Sequence, residues 1–300
     1  MTIALLYDRK KRRGTKPMNL YPLIMTPHFR HGAATPWGGY ALRDIFMKEA
    51  PGDATGESLE VSTLPEQESL VSNGPQAAKT LSRLAEVWGA ALTGGEGGAF
   101  PLWLSLVDAG SDIAINPGFP GMPMAWVVLN AEPGAKLLSG GEWRSVRPGD
   151  VYYVPNGAVQ TLGAGVQLYA ICGDMDAAAD VADTGAKLTK NEGTTVLCRG
   201  GSRTYYVSDA AMELCRLNLS GAMPLESGRP LLLTPMGGCE IRWGSESLFP
   251  DPFQTVVIPA GLEGVTLVGN TKVLMAAPSD RPALREALGY RAENVAGLMD

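Results

Sequence analysis

Arg147-Pro148-Gly149-Asp150-Val151-Tyr152-Tyr153-Val154-Pro155-Asn156-Gly157-Ala158-Val159-Gln160 decides how this chain is read. Pro148, Gly149 and Asp150 make a turn, because proline presets φ and glycine accepts positive φ. Val151, Tyr152, Tyr153 and Val154 are β-branched or aromatic, which suits a half-buried strand. Pro155-Asn156-Gly157 then stops that strand, and the stretch ends at Gln160.

Similar units extend to both sides. Glu57, Leu59 and Val61 alternate with Ser58, Glu60 and Ser62, so residues 56–62 form a strand with Glu57 on an apolar face. A carboxylate there needs a partner or a function. Residues 100–108, 113–117, 125–129 and 165–171 read as further strands. A second β-rich block starts near Thr195, with strands over 205–207, 212–219, 231–234, 240–243, 255–258 and 265–268. Pro259-Ala260-Gly261 ends one of them as Pro155-Asn156-Gly157 ends its own, a weak internal repeat of two β units. Helical spacing occurs at Leu42, Ile45 and Phe46, at Leu81, Leu84, Ala85 and Trp88, and at Leu284, Ala287 and Leu288 before Gly289. Strands separated by turns with few helices imply jelly-roll barrels.

With 300 residues the chain can bury a sizeable core. Its 37 Gly and 22 Pro fit many short strands. A net charge of −6 argues against a nucleic-acid partner. No apolar run approaches the roughly 18 residues of a membrane span, and the start lacks the pattern of a secretory leader. Cys172, Cys198, Cys215 and Cys239 are scattered without a CxxC, as expected of reduced thiols in a cytoplasm. Arg9, Lys10, Lys11, Arg12, Arg13 and Lys16 precede any foldable pattern. Residues 1–17 read as a solvated basic extension or as sequence ahead of a true start at Met18. The remaining divisions expected are an N-terminal barrel over 18–185, a C-terminal barrel over 186–279 and a helical tail over 280–300.

Several stretches resemble the short bacterial type I phosphomannose isomerases, zinc enzymes built of two cupin barrels. They are Trp37-Gly38-Gly39, Gly56-Glu57-Ser58, Ser69-Leu70-Val71-Ser72-Asn73-Gly74, Phe100-Pro101-Leu102, Ala131-Glu132-Pro133-Gly134-Ala135 and Gly149-Asp150-Val151-Tyr152-Tyr153-Val154-Pro155. The match covers residues 20–180 and extends loosely to about 279. It implies a mainly β fold of two cupin-type jelly-roll barrels, and the interconversion of mannose 6-phosphate with fructose 6-phosphate.

The family's chemistry does not follow its fold into this chain. Where the resemblance places the first metal histidine, this sequence has Asn116. Met124 matches the metal-binding glutamate, Gln160 the last histidine and Asp180 the catalytic arginine. Zinc takes Cys, His or carboxylate donors. Two amides and a thioether do not replace them, since a thioether suits softer ions. His28 and His31 are the only histidines and precede the barrel strands. No cofactor is therefore expected, although the family would use zinc.

A metal-free isomerase would need a base and an oxyanion stabiliser. Glu57 and Lys136 are the candidates, against a structural carboxylate and an exposed turn lysine. Asn116 and Gln160 offer donors and acceptors to sugar hydroxyls, with Trp37, Trp103 and Trp126 available to stack on a ring. The competing reading is a filled pocket with Met124 as plug. The sequence thus supports a non-catalytic sugar or sugar-phosphate binding or regulatory protein of carbohydrate metabolism. An active isomerase with relocated site residues, and a purely structural protein with a closed pocket, remain as alternatives.

Overall fold

The computed structural model describes residues 19–95, 99–115, 123–139, 141–154, 160–173, 189–208, 211–226 and 228–279. The expected basic arm, the Pro155-Asn156-Gly157 turn, the segment before Asp183 and the C-terminal helix lie outside these residues. No described helix is long and apolar enough to cross a membrane.

The chain opens with β1 (Leu23–Thr26), β2 (His28–His31), β3 (Thr55–Val61) and β4 (Leu70–Val71). Then follow β5 (Trp103–Ala109), β6 (Ile113–Ile115), β7 (Met124–Ala131), β8 (Lys136–Ser139), β9 (Glu142–Ser145), β10 (Val151–Val154), β11 (Gln160–Leu162) and β12 (Val166–Cys172). The second half holds β13 (Thr189–Lys190), β14 (Thr194–Cys198), β15 (Gly201–Ser208), β16 (Met212–Leu219), β17 (Gly221–Pro224) and β18 (Leu231–Pro235). It closes with β19 (Cys239–Trp243), β20 (Glu246–Leu248), β21 (Val256–Ile258), β22 (Thr266–Gly269) and β23 (Lys272–Pro278). Helices are short: α1 (Ala41–Asp44), α2 (Leu81–Trp88) and α3 (Ala90–Thr93).

Two large sheets run β13-β10-β7-β12-β5-β3-β2 and β14-β15-β16-β23-β18-β21-β1-β4, and two small ones run β6-β11-β8-β9 and β17-β22-β19-β20. The orders are the same once β5 to β12 are matched with β16 to β23 in sequence. Each set makes one jelly roll, a large sheet facing a small one, so the weak repeat in the sequence is a full repeat of topology. The expected pair of barrels is present. One exchange links them. β13, which follows the first barrel's strands, pairs with β10 of that barrel, Tyr152 opposite Lys190. β1, from the start of the chain, takes the equivalent edge of the second barrel beside β21, Leu23 opposite Val257.

Alternation along the strands divides the core into three. Met124, Trp126 and Val128 of β7 fill the first barrel with Ala170 and Cys172. Cys215, Leu217 and Leu219 of β16 fill the second with Met275 and Ala277. The intervening residues, such as Ala125, Val127, Leu214 and Leu274, pack the two large sheets back to back. α2 adds its stripe of Leu81, Leu84, Ala85 and Trp88 to that central layer. Thr80 caps the helix, its hydroxyl oxygen accepting from the Arg83 N–H at 3.2 Å.

β3 keeps the expected alternation from Glu57 to Leu59; a register shift between Leu59 and Val61 then breaks it, and Val61, expected on the face of Glu57, packs in the central layer. Glu57 faces the first barrel, while Ser58 and Glu60 face the central layer. There Glu60 is fully buried and paired with Lys48 at 2.7 Å. Ser58 Oγ donates to Glu60 at 2.6 Å, and Thr255 Oγ1, from the second barrel's half, donates at 3.0 Å. Lys48 also donates to the Phe253 carbonyl at 2.6 Å. Charge and hydrogen bonding are both satisfied, which such burial requires. Replacing Lys48 with Met leaves the carboxylate buried without its cation, and is expected to cost about 3–5 kcal/mol of stability. Urea unfolding at neutral pH measures this. The double variant Lys48→Met/Glu60→Gln is expected to recover most of the loss.

Candidate functional site

The first barrel's inward face brings together Glu57 on β3, Trp103 and Ser105 on β5, and Ala170 and Cys172 on β12. They line a cavity of about 50 Å³ with Arg30, Ser62 and Gln67. That volume holds a few ordered waters; ligand pockets are several times larger.

Arg30 lies opposite Glu57 in the β2–β3 pairing, and their side chains form an ion pair at the cavity wall. The Glu57 side chain is 7% exposed and that of Arg30 38%. Burial pushes the Glu57 carboxyl above its ordinary value, further than the Arg30 charge and hydrogen bond pull it down. Cys172 is pushed up to about 12, first by burial and then by the Glu57 charge. It is a protonated thiol at neutral pH and so no nucleophile. Trp103 donates from its indole to Thr63 Oγ1 at 2.9 Å.

Met124 opens β7, opposite Cys172 of β12 and Val154 of β10. It is fully buried in the barrel's apolar cluster, as is Trp126. The Trp126 indole N–H finds no hydrogen-bond partner. Gln160 lies opposite Ile115 across the β6–β11 pairing, so its backbone is beside the residue that precedes Asn116. Asn116 and Asp180 are outside the described residues.

The other expected site residues are dispersed. Trp37 is absent from the cavity wall; its ring lies over Gly56, at the end of β3 away from Val61, where a Cβ would come within 2.7 Å of it. The two glycines after it serve close approach. A Cβ on Gly38 would meet the Gly56 nitrogen at 2.4 Å, and one on Gly39 would meet Asp108 at 2.6 Å. Asp108 accepts from the Ala41 N–H at 2.7 Å and from Gln167 at 2.9 Å, so it is a structural carboxylate. Lys136 is exposed at the start of β8, in a separate surface groove with Asp112, Glu132 and Trp143. Glu57 and Lys136 therefore do not share a site. His31 bonds Asp53 at 2.9 Å on the surface. His28 has its pKa lowered by burial, then by Arg30 and His31. Among the described residues no three His, Cys, Asp or Glu side chains gather as a metal site.

Two members of the cavity escaped the sequence reading. Arg30 sits between two histidines in an apolar stretch, and only the β2–β3 register reveals it as the partner Glu57 needed. Cys172 closes a strand whose inward face became evident once β7 and β12 were paired.

The fold and this interior define a two-barrel protein of the cupin type. No protein-family model matches the chain. It is 32% identical over 181 residues to YvyI of Bacillus subtilis (strain 168), which is named a mannose-6-phosphate isomerase provisionally; the match covers 49% of this chain and 56% of YvyI. It is 29% identical over 182 residues to the mannose-6-phosphate isomerase ManA of the same organism, covering 50% of this chain and 56% of ManA. The chain thus spans about half the length of the curated relatives it matches. The crystal structure of the mannose 6-phosphate isomerase from Bacillus subtilis superposes with a TM-score of 0.72 at 21% identity, covering 85% of this chain and 99% of that one. The chain is thus similar to mannose-6-phosphate isomerases over about half of its length, and it has the fold of the crystal structure above.

A carboxyl raised above its ordinary value of 4.5 binds more protons folded than unfolded. Stability is therefore lost as pH rises from that value through the raised folded value. Glu57→Gln removes this contribution. In urea titrations from pH 4.5 to 7 the variant is expected to show a flatter stability profile than the parent.

Proposed function

We propose that this chain is a non-catalytic relative of the mannose-6-phosphate isomerases, acting in carbohydrate metabolism by binding or regulation rather than turnover. The observation that carries this reading is Met124. At the position the resemblance gives to a metal-binding glutamate stands a fully buried thioether, facing a protonated thiol and Val154. That donor set does not fit zinc, which needs anionic or imidazole ligands. Amides at positions 116 and 160 supply neither. The family structures include a zinc-bound mannose 6-phosphate isomerase, and nothing in this reading routes chemistry through such an ion.

The metal-free alternative is also poorly served. Moving a proton between adjacent carbons needs a free base beside an oxyanion stabiliser. Glu57 is tied to Arg30, and Lys136 stands in another groove. The cavity beside Glu57 is smaller than a sugar ring, so Met124 and Trp126 act there as core. Sugars and sugar phosphates remain the ligand class, met without catalysis.

Elemental analysis of the purified protein after incubation with zinc, together with a coupled assay on mannose 6-phosphate and on fructose 6-phosphate, tests this. The expected result is substoichiometric zinc and no turnover in either direction. One zinc per chain with chelator-sensitive turnover would overturn it.

A further inference from the structure

We propose that the groove between the two barrels binds a small oxyanion of the phosphate or phosphate-ester class, held by Arg216 and Lys272. The groove encloses about 230 Å³ where the Pro148-Gly149 turn of the first barrel meets β15, β16 and β23 of the second. Arg216 lies opposite Leu274, and Lys272 is two residues along the same strand. The two cations are thus diagonal neighbours on one face of the sheet, within reach of a single ligand.

Neither has found an anion. Among the described residues neither Arg216 nor Lys272 forms an ion pair. The Arg216 Nε is buried and has no hydrogen-bond partner among the described residues. The guanidinium lies 5.7 Å from the centre of the Tyr206 ring, a cation–π contact that leaves Nε unpaired. A buried charged donor left unpaired is costly, and two like charges side by side repel. An oxyanion between them, bonded through the outer guanidinium nitrogens and Lys272 Nζ, offsets both charges. No carboxylate lines the groove. Asp150, next to the turn, is already held by Lys190 at 2.7 Å and by the Arg147 N–H at 3.1 Å. Leu129, Met236 and Leu274 make up the remaining wall. Their apolar surface lowers the local dielectric and strengthens charge-assisted bonds to a fork-shaped guanidinium. The site is separate from the first barrel's interior and does not depend on how that interior is read.

Titration calorimetry and thermal unfolding with inorganic phosphate, mannose 6-phosphate and mannose test it, at a fixed ionic strength of about 0.15 M to hold screening constant. Saturable binding of phosphate with a rise in melting temperature is expected. Lys272→Gln, an exposed position that should fold normally, is expected to weaken binding about tenfold. Arg216→Met is expected to abolish it. Lys79→Gln, which removes an equal charge elsewhere on the surface, should leave it unchanged. Tighter binding of the ester than of phosphate marks a sugar phosphate as the ligand, and equal binding marks the free ion. No saturable binding of either by about 10 mM overturns the proposal. So does binding that Lys272→Gln leaves intact, or that Lys79→Gln weakens equally.

Discussion

Both faces of each large sheet are buried, and this constraint shapes the rest of the molecule. One face closes over a small sheet to make a barrel, and the other packs against the second barrel's large sheet. Every strand in the middle of these sheets must then present apolar side chains in both directions. β12 and β18 are buried at every position, with Gln167 and Thr234 their hydrogen-bonded exceptions to apolar composition. Polar groups are admitted only with complete hydrogen bonding, which is why Glu60 reaches the central layer together with Lys48, Ser58 and Thr255. Among the described residues Trp126, Tyr169, Glu213 and Arg216 each carry a buried polar atom outside that rule, and Arg216 lines the inter-barrel groove.

The first barrel's interior is largely apolar along β7. Met is flexible and polarizable, and it fills irregular space well. In this barrel Met124 and Trp126 extend the hydrophobic core to the end of β7, and what is left open is a small cavity walled by Arg30 and Glu57. The related crystal structures share the fold at about a fifth of sequence identity or less. Fold persists across such distances because it depends on patterning, whereas chemistry depends on individual donors. A shared fold at that distance therefore does not by itself carry a reaction with it.

Much of this was legible in the residues. The stripe of α2 appeared as i, i+3, i+4 and i+7 spacing and is buried as a unit. The 212–219 strand was read with the bounds it has as β16. Glu57 among apolar neighbours signalled a need for a partner, and Arg30 supplies it. Other parts required pairings between distant segments. β23, which lies between β16 and β18 in the second large sheet, was passed over because Met275, Ala276 and Ala277 lack the β-branched signature. The β8–β9 hairpin is absent from the sequence reading, since β9 is exposed along its whole length and shows no apolar alternation. Trp37 looked like a candidate for stacking on a sugar; its role over Gly56 is visible only when the Gly38–Ala109 bridge brings the two strands' ends together. Periodicity reports which side chains turn inward, and it is silent about which strand they will meet.

The exchange of β1 and β13 has a consequence for biogenesis. As the polypeptide leaves the ribosome, Leu23 and Ile24 emerge more than two hundred residues before Val256 and Val257, the edge they will occupy. Until then an apolar segment near the beginning of the chain has no permanent berth. Maturation of the whole is tied to strands translated much later, and contacts this remote in sequence slow folding. Neither half can be completed from its own segment alone, so the pair is inherited, lost or rearranged as one piece.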